Sequence, residues 1–223
     1  MRFSDFDAII FDSDGVLVDS EIIHVAVERE LLSELGLNYD HETYLSRFVG
    51  LSNANFYSEL KMDYARHSDR EFPTDFGSML FERTWPRIEA ELLPIGGVAE
   101  LVGKFPGKVA VGSSAPYDRL CRKLTIANLA SLFSPHIYSA DHVNKGKPEP
   151  DLFLYAAEQL GVSPRGCLVI EDSMNGVLAA SAAGMVPIGF VGGSHADVGL
   201  GQRLLDHGAV MIASSHSEIK ALI

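Results

Sequence analysis

Ala8-Ile9-Ile10-Phe11-Asp12-Ser13-Asp14-Gly15-Val16-Leu17-Val18-Asp19-Ser20 is the stretch around which this 223-residue chain is organised. Its first four residues form a short apolar run, partly β-branched, and predict a buried strand of a parallel sheet. Asp12 and Asp14 follow at the strand's C-terminal end with one residue between them. On an extended segment that spacing projects both to the same side. Gly15 then lets the backbone turn sharply. Two like charges this close are costly to bury without compensation. A divalent cation with oxygen ligands would compensate them, and Mg²⁺ is commonly held by one or two carboxylates plus substrate phosphate oxygens. A lone Asp-x-Asp would read instead as a solvated strand-end turn, so the rest of the chain decides.

Downstream of Ser20, Ile23, Val27, Leu31 and Leu35 recur every four residues, the stripe of an amphipathic helix, and Gly36 ends it. Residues 41–49 read as helical, and 50–55 as a loop or helix start. From 56 to 92, aromatic and charged residues recur at helical spacing. Pro73 suits an early helical position, and Pro86 is expected to kink or divide its helix. No strand is expected between residues 18 and 93. The pattern then changes. Apolar strands are expected at 108–112, 136–139, 166–170, 185–190 and 209–212, with helices at 98–105, 114–126, 151–160 and 174–183. The helix from 114 is expected to be capped by Ser114. Alternating strands and helices imply an α/β fold with a doubly wound parallel, Rossmann-like sheet. Sites in such sheets lie beyond the carboxyl ends of the strands, at the switch point. The expected division is a core of 1–14 and 95–223, with an all-helical insert of 15–94.

Eighteen Lys and Arg against 30 Asp and Glu give a formal net charge of −12, which argues against nucleic acid and anionic membranes as partners. No stretch is long and apolar enough to suggest a membrane span. Cys121 and Cys167 are too few for a disulfide framework. The acidic start is unlike a signal peptide, and a cytoplasmic location is the expectation.

Three further clusters fall at predicted strand ends. Ser113 and Ser114 follow the second strand. Gly146-Lys147-Pro148-Glu149-Pro150-Asp151-Leu152-Phe153 follows the third. Glu171-Asp172, in Val169-Ile170-Glu171-Asp172-Ser173-Met174-Asn175-Gly176-Val177, follows the fourth. Each has a plainer reading. The serines suit helix capping, the lysine a solvated loop, and the acids a favourable pair at a helix N-terminus.

Taken together and in order, the four stretches resemble the motifs of the haloacid dehalogenase-like hydrolases, in the subfamily of small phosphatases and sugar phosphomutases. The resemblance spans nearly the whole chain. It implies Asp12 as a nucleophile forming an aspartyl-phosphate and Asp14 as general acid and base. Ser113, the Ser114 backbone N–H and Lys147 would bind the phosphoryl group, with Lys145 the rival lysine. Asp12, Asp14 through its carbonyl, Asp172 and Glu171 (directly or through water) would hold Mg²⁺. The insert would be a cap, hinged at 15–19 and 93–97, that reads the leaving group. Within it, His24 stands where some family mutases carry His, though it could equally be structural. Asn53 stands where those mutases carry a phosphate-binding Arg; Arg47, Arg83 and Arg87 could take that part. The expected activity is Mg²⁺-dependent hydrolysis of a small phosphorylated metabolite. A sugar phosphomutase is the alternative, and a non-catalytic binding protein on the same fold is the reading from another class.

Overall fold

The computed structural model describes residues 5–48, 51 and 53–222. The chain divides into two compact units, one of Met1–Ser20 with Leu92–Ile223 and one of Glu21–Glu91.

The first unit is built on a six-stranded sheet of order β3-β2-β1-β4-β5-β6, comprising β1 (Ala8–Phe11), β2 (Lys108–Ser113), β3 (Ile137–Ser139), β4 (Cys167–Glu171), β5 (Val186–Phe190) and β6 (Met211–Ala213). Every pairing is parallel. All four residues of β1 are fully buried, as an apolar run without alternation requires when both faces of a sheet are covered. Ala8 and Ile10 pack with Leu152, Phe153 and Ala156 on one face. Phe11 meets Phe133 edge-on at 5.4 Å on the other. The order reverses across β1, the switch point of a doubly wound sheet. Phe11 is in register with Val111 of β2 and Ile170 of β4, so Asp12, Gly112 and Glu171 emerge abreast at the carboxyl crest.

The unit's helices are α5 (Val98–Lys104), α6 (Tyr117–Ile126), α7 (Ala130–Phe133), α8 (Asp151–Leu160), α9 (Met174–Ala182), α10 (Leu200–Asp206) and α11 (His216–Lys220). The expected Ser114 cap of α6 is not made. Pro116 occupies the cap position and makes no side-chain bond. The Tyr117 N–H donates instead to Asp141 Oδ2 at 2.7 Å. An acceptor from the loop after β3 thus does the work assigned to a local serine.

The second unit holds α1 (Glu21–Glu34), α2 (His41–Phe48), α3 (Asn53–Ala65) and α4 (Phe76–Glu91). No strand occurs among its described residues. The α1 stripe buries Ile23, Val27 and Leu31. Gly36, at φ +84°, closes the helix, and the Leu37 N–H bonds Leu32 O at 2.8 Å, the αL ending that glycine favours. The core is aromatic: Tyr44, Phe48, Tyr64, Phe72 and Phe76 pack with Leu31, Leu32 and Leu60. Pro86 does not divide its helix, because α4 runs through it. Pro73 lies in the turn ahead of α4 rather than inside it.

The boundary after residue 14 expected from the sequence differs from the unit boundary after Ser20. The Asp19 N–H bonds Leu93 O at 3.1 Å and the Ile95 N–H bonds Leu17 O at 2.9 Å. The outgoing and returning connections are therefore tied to each other within the sheet unit.

Candidate active site

The turn after β1 is closed by its own backbone. The Ser13 carbonyl accepts from Leu17 N at 2.8 Å and Val18 N at 3.0 Å, and the Gly15 N–H bonds Val18 O at 2.9 Å. Gly15 sits at φ +79°. A Cβ there would overlap the Asp172 carboxylate and crowd the His195 ring. Glycine is therefore required both by conformation and by the close approach of β4's end to the turn.

Asp12 is 7% exposed and Glu171 wholly buried. Lys147 reaches between them, its Nζ 2.5 Å from both Asp12 Oδ1 and Glu171 Oε1, and the same ammonium stands 4.9 Å over the Phe153 ring of α8. Lys145 is exposed. Burial pushes the Asp12 carboxyl well above its ordinary range; Lys147 opposes that rise and the charges of Glu171 and Asp172 add to it. Burial alone would lower the Lys147 ammonium, but Asp12 and Glu171 outweigh burial and hold it above its ordinary value.

Glu171 is braced from below as well. Its Oε2 accepts from Ser173 N at 3.0 Å and Ser173 Oγ at 2.9 Å. Ser173 also caps α9, its Oγ accepting from Gly176 N at 3.0 Å. A Cβ on Gly176 would overlap the Glu171 carboxylate, so the first turn of α9 can lie on a buried acid only with glycine there. Both Glu171 oxygens are thus engaged by protein donors, Lys147 on Oε1 and Ser173 on Oε2. Asp172, 8% exposed, lies 3.1 Å from His195 Nε2 through its Oδ2.

The Asp14 carboxylate receives Ser20 Oγ and Lys123 Nζ on the same oxygen, Oδ1. Among the described residues, the expected Mg²⁺ set does not form a cluster of three or more acidic, His or Cys side chains. Each carboxylate of the set has a protein partner: Asp12 and Glu171 share Lys147, Asp14 accepts from Ser20 and Lys123, and Asp172 pairs with His195. Ser113, 2% exposed, ends β2 one residue past the position abreast of Asp12. Its Oγ accepts from Ala115 N at 3.1 Å. Ser114 is exposed beside it. His24 lies on α1, in the unit Glu21–Glu91. Asn53 opens α3 in that unit, and its side chain lies outside the described residues.

A family model for haloacid dehalogenase-like hydrolases matches residues 6–184. The chain belongs to this family. Fructose-1-phosphate phosphatase of Escherichia coli is 34% identical over 81% of this chain and 94% of its own. The β-phosphoglucomutase of Bacillus subtilis is 28% identical over 95% and 91%. The solved structure of a haloacid dehalogenase-like protein from Agrobacterium tumefaciens matches with a TM-score of 0.89 and 36% identity over 97% of both chains. The protein is a haloacid dehalogenase-like enzyme, a phosphoric monoester hydrolase. None of the helices in its described residues is long and apolar enough to cross a membrane.

The sequence reading of this hydrolase missed Lys123, Ser20, Ser173 and His195. Lys123 alone left a trace. It falls between Leu120 and Leu124 on α6, both wholly buried, so it interrupts an apolar helical stripe.

Proposed function

We propose that this hydrolase is a Mg²⁺-dependent phosphatase of a small phosphorylated metabolite, a sugar phosphate first of all, acting through an aspartyl-phosphate on Asp12. The observation that carries the reading is the Lys147 ammonium, 2.5 Å from both Asp12 and Glu171. A carboxylate nucleophile and a phosphoryl dianion repel each other, and a fixed buried cation between strand ends offsets that repulsion. Glu171, braced by Ser173, fixes the ammonium in turn.

In the first step an Asp12 oxygen bonds to phosphorus, the ester P–O bond breaks, and Asp14 gives its proton to the departing oxygen. In the second, water bonds to phosphorus, Asp14 takes its proton, and the bond to Asp12 breaks. Inorganic phosphate leaves and Asp12 is restored as a carboxylate. Ser113 and the Ser114 backbone N–H, at the end of β2, would hold phosphoryl oxygens through both steps.

The donor chemistry fits Mg²⁺. Asp12 and Asp172 are hard oxygen donors from adjacent strand ends, and burial, with repulsion from Glu171 and Asp172 added, keeps Asp12 raised in spite of Lys147, so a further cation would be welcome there. They would hold the ion with the Asp14 backbone carbonyl. When bound, Mg²⁺ supplies positive charge to the phosphoryl oxygens.

Residues 21–91 would then act as the cap that reads the leaving group, as their placement between the first and second clusters supports. A mutase needs a cationic second phosphate site there. Arg47 is paired with Glu59 at 2.9 Å and Asp63 at 2.7 Å, Arg83 with Glu34, and Arg87 with Glu30 at 3.0 Å and Glu91 at 2.9 Å. Guanidiniums already matched to carboxylates favour hydrolysis over mutase chemistry. With sugar phosphates and Mg²⁺ the enzyme should release inorganic phosphate, and a chelator should stop it. Full activity in excess chelator would contradict the metal assignment. β-Glucose 1-phosphate with a trace of the bisphosphate giving mainly glucose 6-phosphate would favour the mutase.

A further inference from the structure

Lys123 is 5% exposed, although it lies on a helix whose neighbouring positions 122 and 125 are partly or fully exposed. Lysine is rarely buried unless paired. Its ammonium donates to Asp14 Oδ1, an oxygen that also accepts from the wholly buried Ser20 hydroxyl. Both donors follow Asp14 in the chain, one near and one far: Ser20 six residues on, and Lys123 from α6, 109 residues away. We propose that Lys123, with Ser20, is a positioning residue that fixes the Asp14 carboxyl group for proton transfer. The proposal rests on Asp14 being the general acid and base of the reaction above.

Two donors on Oδ1 hold the carboxyl group in one orientation, and the transferred proton is assigned to Oδ2. Such an acid works only within hydrogen-bond reach of the leaving oxygen. A small misplacement of a catalytic group is costly, about 100-fold for 1 Å. Lys123 spans from α6 to the turn after β1, so it couples the acid to the helix that follows Ser113. The acid and the phosphate-binding serine are then held by one rigid segment. An apolar residue on the α6 stripe would satisfy packing and do none of this.

The consequence depends on the leaving group. A nitrophenolate departs without a proton, whereas a sugar or alkyl alkoxide needs one. The quantity to compare is kcat/KM, which reports the first phosphoryl transfer and so excludes the later hydrolysis of the aspartyl-phosphate. Lys123→Met, Lys123→Arg, Ser20→Ala and Asp14→Asn would be assayed with nitrophenyl phosphate and with a sugar phosphate. Lys123→Met should lose about 10- to 100-fold on the sugar phosphate and no more than about threefold on nitrophenyl phosphate. Lys123→Arg should restore most of the loss, and Ser20→Ala should show the same selectivity with a smaller loss. Should Lys123→Met fail to fold, Ser20→Ala and Lys123→Arg carry the test. Asp14→Asn should be selective in the same sense and more severe. Equal losses on both substrates in the Lys123 and Ser20 variants, with Asp14→Asn selective, would overturn the role of Lys123. An unselective Asp14→Asn would overturn the acid–base reading beneath it.

Discussion

In the unit Glu21–Glu91, acids meet guanidiniums in matched sets: Arg83 with Glu34, Arg87 with Glu30 and Glu91, and Arg47 and Arg66 with Asp63. At the crest of the sheet, Asp12 and Glu171 share one buried ammonium, and Asp172 pairs with His195. The helical unit's 14 acids outnumber its seven Lys and Arg, but most of them are exposed, where water solvates the surplus. At the crest the carboxylates of Asp12, Glu171 and Asp172 are buried, where water does little to offset their mutual repulsion. A buried surplus of that kind is tolerated where an incoming ion or substrate completes it. The contrast in burial favours the sheet unit as the seat of the proposed chemistry without reference to any motif.

Two buried groups away from the crest, one in each unit, titrate in opposite senses. In the sheet unit, burial lowers His216 from 6.5 to about 4, opposed by its bond to the Gly96 carbonyl. In the helical unit, burial raises Glu28 from 4.5 to about 7; its bond from the Tyr44 hydroxyl opposes the rise and Glu21 adds to it. A histidine lowered in the folded state contributes stability that is present above its unfolded pKa and lost as pH falls from 6.5 toward 4. A carboxyl raised in the folded state contributes stability that is present below 4.5 and lost as pH rises through about 7.

The most severe way to break the contrast is at the nucleophile. Asp12→Asn should cut kcat by at least about 1,000-fold, since an amide neither attacks phosphorus well nor binds Mg²⁺ as strongly. Its thermal midpoint should not fall, because one of the crest's crowded acids has gone. Lys147→Met should lower kcat by about 100- to 1,000-fold. It should also destabilise the protein by roughly 3–5 kcal/mol, because it leaves buried carboxylates without their cation; retained activity in that variant would remove the basis of the functional reading.

Next in size are the opposed titrations. Unfolding measured from pH 4 to 9 should show acid loss that His216→Phe flattens and alkaline loss that Glu28→Gln flattens. Each should be on the order of 3 kcal/mol. Hydrogen exchange should place the alkaline loosening that Glu28→Gln removes in residues 21–91 and the acid loosening that His216→Phe removes in the sheet unit. The reverse assignment would contradict the origin given for both. Smallest of all, Arg83→Ala removes a pair exposed on both sides. It should cost under about 1 kcal/mol and leave activity unchanged.

Much of this was legible because it was local. The β1 run, the Asp-x-Asp after it and the acidic pair after β4 declare themselves within a few residues, and parallel strands buried on both faces read as plain apolar runs. What escaped depends on approach across the chain. Lys123 reads as one more helical lysine until the fold carries α6 to the turn after β1. His195 follows two glycines in a loop, with nothing nearby to mark its approach to Asp172. The cap of α6 was misassigned for the same reason, since Ser114 was adjacent in sequence and Asp141 was adjacent in space. Pro86 does not divide α4, because a packed helix tolerates one missing N–H bond.

The central claim is that the crest is arranged for covalent transfer to Asp12. Enzyme mixed with a sugar phosphate and Mg²⁺ can be quenched in acid during turnover and its peptides weighed. The peptide containing Asp12 should carry a phosphoryl group that hydroxylamine removes, and the same peptide from Asp12→Asn should carry none. Steady release of phosphate with no phosphoryl group on Asp12 at any quench time, together with an active Asp12→Asn enzyme, would contradict it.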